Sequence, residues 1–378
     1  MANPRRPPPP LPPQEDPTVI LGKFVGIKNT VPRYSLGPDE LELAINVDLN
    51  DVGKLSRRRG YKQMWTTPTS SLFTSNEGVA YGVVGDELGI INPDLTFLAL
   101  AFGFTNAAVC YVQVGHKIYF STGSAGISGI IDQNARTIGP WGDDPDIFLS
   151  PVVRPTATLP AIRGRLIGKP PCATVLAYFN GRIFLAQGNV VWCTELYLYN
   201  YVERVTNFLP FEAEVVMIGA VTDGFFVGTL EGVWFLSGPL KEMKRTRVMD
   251  SPVVPRSMTY APGELANPPQ VGLDQDTPTK VSVLFMTAEG YCGGMDGGTA
   301  YNYTEDRVIF PRATSGGAIF RRQDGVNQYL VTLNSAGTPT ANTRIGDHLD
   351  AELVRADAWR DLQECVVWSD SFVATIVT

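Results

Sequence analysis

Asn180-Gly181-Arg182-Ile183-Phe184-Leu185, continuing to Val190-Val191-Trp192-Cys193, can be laid over Asp223-Gly224-Phe225-Phe226-Val227, continuing to Gly232-Val233-Trp234-Phe235. Gly181 falls on Gly224 and Trp192 on Trp234, offsets of 43 and 42 residues. A period of about 40 residues with two short β-rich runs in each unit marks a propeller blade, a four-stranded sheet repeated around an axis. The sequence therefore predicts an all-β chain folded as a β-propeller. At about 43 residues per blade, six or seven blades fill residues 65–350.

Working outward, the same text recurs. Residues 78–84 lead into 88–91, and 112–120 lead into 127–131. A further unit runs from 281–291 through 299–303 to 307–310, and a last one pairs 318–321 with 328–333. The turn glycines Gly78, Gly115, Gly181, Gly224 and Gly290 are separated by 37, 66, 43 and 66 residues. Two gaps fit one blade and two fit a blade plus an insertion. Residues 136–172 and 251–279, rich in proline and poor in alternation, are the insertions, each either an excursion from the rim or a blade without a visible signal.

A chain of 378 residues buries roughly 75% of its unfolded surface without disulfides or metal. Its 37 glycines and 29 prolines lie between short apolar runs, as turn punctuation does. The net charge of −7 and only 18% charged residues do not invite nucleic-acid recognition. Five cysteines at wide spacing, none in a C-x-x-C pair, and two histidines, His116 and His348, leave zinc chemistry without a ligand set. No P-loop or G-x-S-x-G elbow is present, and the segment 293–298 reads as a hairpin turn. Asp143, Asp144 and Asp146 lack the alternation of a calcium loop. Paired carboxylates of the glycosidase kind meet only in the fold and stay open. The expectation is a non-enzymatic chain without cofactor. No apolar run is long enough to span a bilayer, and the basic residues 1–6 are followed by proline instead of a signal-peptide core, so a cytoplasm-like compartment is expected.

Residues 1–17 read as a proline-rich extended arm, because the prolines at 7–10, 12 and 13 offer no ladder donors. It is either a P-x-x-P ligand, an arm that wraps a neighbouring subunit, or a solvated spacer. Residues 18–64 read as N-terminal strands and a contact segment. Within them 41–47 alternate as a half-buried strand, and a turn at 50–53 leads to Arg57, Arg58 and Arg59. Three arginines in a row point to both faces of a strand, so ion pairing within or between subunits is the simplest role. The run 241–247, dense in lysine and arginine, reads as an exposed blade edge. Residues 351–378 read as a short amphipathic helix, with apolar positions from Ala351 to Cys365 at three- and four-residue steps, followed by a closing strand at 366–378 that pairs with the first blade or with another subunit.

Residues 24–61 resemble the N-terminal signature of tail nozzle, or tail tubular, proteins of short-tailed bacteriophages. The likeness lies in a glycine-containing opening, the Pro32-Arg33-Tyr34 element, the Ala-x-Asn-Val-Asp strand at 44–48, and the Gly-x-Leu with its basic run at 53–60. Residues 180–192 and 344–347 are similar as well. The resemblance implies a β-propeller in a virion tail, made in the host cytoplasm and assembled as a hexameric ring below portal and adaptor. Its neighbours there are adaptor, fibre or tip proteins, it passes DNA without reading it, and no stable membrane insertion is implied. On this reading Arg33, Tyr34, Arg57, Arg58, Arg59 and Tyr61 are the candidate subunit or adaptor contacts. The rival expectations are a glycan-binding or glycan-cleaving propeller and an intracellular interaction scaffold.

Overall fold

The computed structural model describes residues 23–44, 47–49, 53–57, 67–105, 108–123, 126–142, 167–263, 281–305, 307–310, 313–323, 326–334, 364–366 and 375–377. The proline arm, the acidic cluster at 143–146 and residues 344–347 lie outside these. The chain separates into two compact units, Met1–Gly60 and Tyr61–Thr378.

In the first unit, Gly26–Ile27 pairs in parallel with Glu40–Leu41, and Val47–Leu49 forms a hairpin with Leu55–Arg57. The Phe24 amide donates to the Gly53 carbonyl at 2.8 Å. Gly53 must be glycine here: its φ is +80°, and a Cβ would come within 2.8 Å of the Phe24 carbonyl oxygen. The expected strand over 41–47 is corrected by the structure. It stops at Leu41, bends at Glu42 and leaves Leu43 52% exposed. Ion pairs from Lys28 to Glu40, 3.1 Å, and from Arg33 to Glu42, 2.6 Å, pull the polar positions of this stretch onto the preceding turn.

The second unit is a β-propeller. Among the described residues, five antiparallel four-stranded sheets follow one another in up-and-down order. Blade 1 comprises Thr69–Thr74, Ala80–Val84, Glu87–Ile91 and Phe97–Phe102; blade 2, Cys110–Val114, Lys117–Ser121, Ser128–Asp132 and Thr137–Pro140. Blade 3 comprises Val175–Phe179, Arg182–Gln187, Val190–Cys193 and Phe208–Pro210; blade 4, Val215–Ala220, Gly224–Thr229, Val233–Ser237 and Lys244–Met249. Blade 5 comprises Thr259–Pro262, Val281–Thr287, Gly290–Gly294 and Ala300–Asn302. Two hairpins complete the series, Ser315–Gln323 with Val326–Asn334 and Glu364–Val366 with Thr375–Val377.

The first strands of successive sheets abut: blade 2 with blade 3, blade 3 with blade 4, and blade 5 with the first hairpin. Only strands nearest the axis can touch neighbours on both sides. The strand Glu364–Val366 touches both Ser315–Gln323 and Thr69–Thr74, so the ring closes where the last sheet meets the first. Apolar clusters fill the spaces between sheets. Tyr81 and Leu88 meet Phe120 and Ile131 between blades 1 and 2. Phe184 and Ala186 meet Phe225 and Leu236 between blades 3 and 4, and Phe226 and Val233 meet Phe285 and Cys292 between blades 4 and 5. Phe225 is wholly buried, with its ring centroid 4.5 Å from that of Phe184 and 5.6 Å from that of Phe179. Each such ring contributes about 1.5–3 kcal/mol by burial, and each pair about 0.5–1.5 kcal/mol beyond that.

The sequence repeat corresponds to the second and third strands of blades 3 and 4 with the turn before them, and Lys244–Met249 is the edge strand of its sheet, its first four residues exposed. Four expectations are corrected. Gly290 opens a third strand, not a second one, which explains its long distance from Gly224. Residues 251–279 hold the first strand of blade 5. Residues 308–310 are not strand; Arg307 and Val308 instead bond back to the Thr304 carbonyl as a turn. The expected helix lies largely outside the described residues, but Cys365 at its end sits in a strand paired with Ile376.

Candidate functional site

In an up-and-down sheet the turn between strands one and two and the connection between strands three and four emerge at the same end. At that end of blade 3 the first turn is Asn180-Gly181, with φ of +46° and +75°. Both central residues lie in the left-handed region, as a two-residue type I′ hairpin requires. The connection from strand three runs through 194–207 and carries Glu195-Leu196-Tyr197-Leu198-Tyr199-Asn200-Tyr201.

Tyr199 anchors this loop. Its ring meets Tyr119 edge-on at 5.8 Å and Tyr178 at 6.1 Å, and its carbonyl accepts a 2.9 Å bond from the indole N–H of Trp141. Tyr119 and Trp141 are core residues of blade 2 with ring centroids 5.2 Å apart. Burial, and then the hydrogen bond to Tyr178, pushes the Tyr199 phenol up to about 12, and burial alone does the same to Tyr119. Both phenols stay neutral at physiological pH.

With Tyr199 turned inward, the residues before it turn outward. Leu196 is 48% exposed, Tyr197 68% and Leu198 44%, and Tyr178 on the adjacent strand is 37% exposed. Tyr197 has a φ of +57°, uncommon for a bulky side chain, and is held there by its amide bond to the Gly181 carbonyl at 2.8 Å. A Cβ on Gly181 would lie 2.8 Å from the Tyr197 ring and 2.9 Å from Leu196 Cδ1. The turn glycine that marks the repeat therefore also seats the exposed loop.

Beside this patch, between blades 3 and 4, lies a cleft of about 610 Å³ lined by Tyr178, Phe179, Asn180, Thr222, Asp223 and Pro239 among others. The corresponding turns of blades 4 and 5 are tied together. Asp223 Oδ2 accepts from the Gly297 amide at 2.9 Å, and Asp296 Oδ1 from the Thr222 amide at 2.8 Å. A second, smaller groove of about 300 Å³ at the rim is lined by Pro210, Phe211, Glu212, Trp234 and Arg245. There Arg245 lies 5.1 Å over Phe211 and Arg247 5.6 Å over Trp234. Arg247 is also engaged with Asp250 at 2.7 Å. Arg245, which also donates to the Pro210 carbonyl at 2.7 Å, braces the edge strand against blade 3, while Arg247 packs on its own sheet.

Of the residues expected to make contacts, Arg33, Tyr34, Arg57, Arg58 and Arg59 belong to the first compact unit. Arg33 and Tyr34 sit in a 3-10 turn, Arg33–Ser35, with Tyr34 89% exposed and Arg33 bonded to Glu42. Arg57 ends its hairpin strand and is exposed. Arg58, Arg59 and Tyr61 lie outside the described residues. Sequence reasoning missed the loop 195–201, whose Leu-Tyr-Leu-Tyr alternation is what a buried strand also shows. Among the described residues no group of three or more His, Cys, Asp or Glu side chains is placed to hold a metal.

Ring closure and sheet order define the class, a β-propeller protein. No protein-family model and no curated protein sequence matches the chain. Among solved structures it is similar to the BBS1 N-terminal propeller in complex with ARL6, at 11% identity over 74% of this chain and 80% of that one, TM-score 0.42. It is similar also to Hsv2 of Kluyveromyces marxianus, at 10% identity over 73% and 76%, TM-score 0.38. A third is Sqt1 of Saccharomyces cerevisiae, at 8% identity over 64% and 63%, TM-score 0.36.

At such identities the likeness concerns the fold alone. It corrects one expectation. Sqt1, Hsv2, U3-55K and the N-terminal domain of Nup159 are among the similar structures, and none of these is a tail nozzle. The expected role as a virion conduit does not stand.

Proposed function

We propose that this chain is a non-enzymatic propeller scaffold that binds a protein partner through the exposed loop of blade 3. The observation that carries the reading is the cluster of Leu196, Tyr197, Leu198 and Tyr178, exposed around Gly181 and held there by a left-handed backbone. Contiguous apolar surface of this kind marks interaction sites. Strain at a single bulky residue persists only where its surroundings enforce it, as at binding sites. Tyrosine is a preferred anchor because it covers much area with few rotatable bonds. Tyr199, locked into blade 2, preorganises the loop and lowers the ordering cost of binding.

A photoreactive aromatic side chain placed at position 197 tests this against the same group at position 98, where Leu98 is also exposed, on an outer strand. Cross-linking of one defined protein species from 197 and not from 98 is the expected result. Equal labelling from both positions, or none from 197, refutes the proposal.

A further inference from the structure

We infer that the cleft between blades 3 and 4 receives the proline-rich segment, residues 3–13, of a second copy of this chain; this rests on the blade 3 end being a protein-binding face. The segment reads Asn3-Pro4-Arg5-Arg6-Pro7-Pro8-Pro9-Pro10-Leu11-Pro12-Pro13. A peptide of this composition favours the polyproline II helix, with three residues per turn and free carbonyls, and seven such residues span about 20 Å at about 3.1 Å each. Grooves that bind this helix are lined by aromatic rings, and the preformed conformation leaves little entropy to lose.

The cleft has that character. Tyr178 and Phe179 line it, Pro239 adds a flat apolar surface, and Asn180 and Thr222 supply polar groups. Its volume of about 610 Å³ falls within the range of about 300–1,000 Å³ typical of ligand sites. Charge supplies direction. Arg5 and Arg6 immediately precede the prolines, and Asp223 lies in the cleft wall with Asp296 bonded to the adjacent Thr222 amide. A guanidinium at one end of the helix and a carboxylate at one end of the groove fix the register by a charge-assisted bond. The complementary ligand is thus encoded in the chain itself, which singles out a second copy over an unrelated partner.

Sedimentation equilibrium of the full chain from micromolar to millimolar concentration tests the inference, together with fluorescence anisotropy of a labelled synthetic peptide of residues 3–13. The chain is expected to self-associate, and excess peptide to dissociate the assemblies. Tyr178→Ala in the cleft, or Pro9→Ala with Pro12→Ala in the segment, is expected to weaken association about tenfold, as loss of one interface anchor does. The paired proline substitutions alter no residue of the propeller, so they decide the matter even where Tyr178→Ala perturbs the fold. A chain that is monomeric at every concentration overturns the inference, as does association indifferent to both the peptide and the proline substitutions. If cross-linking from position 197 survives such a result, only the proline-rich ligand falls; if it fails too, the scaffold reading falls as well.

Discussion

Gly181→Ala is the substitution that most directly probes the link between hairpin and exposed loop. Two costs are separable. Gly181 has a φ of +75°, and placing an L side chain in the left-handed region costs about 1–2 kcal/mol, offset by about 0.4–1 kcal/mol from a less flexible unfolded chain. Gly115 in the matching turn of blade 2 has a φ of +61° with nothing within 4 Å of its would-be Cβ. Gly115→Ala therefore measures the backbone cost alone, a net of about 0.5–1 kcal/mol. At Gly181 the new methyl would also meet the Tyr197 ring at 2.8 Å and Leu196 at 2.9 Å. Because Tyr197 is pinned by its own backbone bond, relief requires the loop to move, and the overpacking adds about 1 kcal/mol, the lower end of the range for crowded sites. The expected totals are about 2 kcal/mol for Gly181→Ala and under about 1 kcal/mol for Gly115→Ala. Urea unfolding at equilibrium, with both variants measured beside the parent, reads the difference directly. Equal losses at the two positions would show that Leu196 and Tyr197 do not rest on the hairpin, and the argument for a seated binding loop would fail.

Phe225→Ala removes the ring packed at a tilt against Phe179 and Phe184 and is expected to cost about 3–5 kcal/mol; a denaturation shift below about 1.5 kcal/mol would place the core between blades 3 and 4 elsewhere. Burial pushes the thiols of Cys193 and Cys292 up to about 12, so both should resist iodoacetamide in the native protein at pH 8 and react only after unfolding, as read by mass spectrometry. The Thr105 hydroxyl first, and then backbone amides, hold the Asp86 carboxyl below its ordinary 3.8. The folded chain therefore takes up this proton less readily than the unfolded one, and the contribution present above pH 3.8 is lost as pH falls below it. Asp86→Asn should flatten the acid limb of a stability profile, and an unchanged slope would contradict the assignment.

The parts of this fold that were legible in the sequence are those built from local pairing. The Asn180-Gly181 and Asp223-Gly224 turns and the tryptophans of the third strands are set by hairpin geometry, so they recur. Fourth strands are not legible in the same way. Trp192 stands opposite Phe208 and Trp234 opposite Arg247, two different solutions to covering an outer face, and the repeat fades there. Thr259–Pro262 escaped notice because proline at its end reads as a break, although an edge tolerates it. The exposed loop was illegible for a different reason. Whether Leu196-Tyr197-Leu198-Tyr199 is core or surface depends on Tyr199 finding Tyr119 and Trp141, the latter 58 positions upstream, and no local pattern encodes that choice.

The seam where Glu364–Val366 lies against Thr69–Thr74 joins segments far apart in sequence. During synthesis the earlier sheets emerge and stack in order, but the flank of the first stays uncovered until residues 364–366 have been made. Contacts of such large sequence separation are slow to form. Closure of the ring is thus a step exposed to mispairing, where a chaperone would matter.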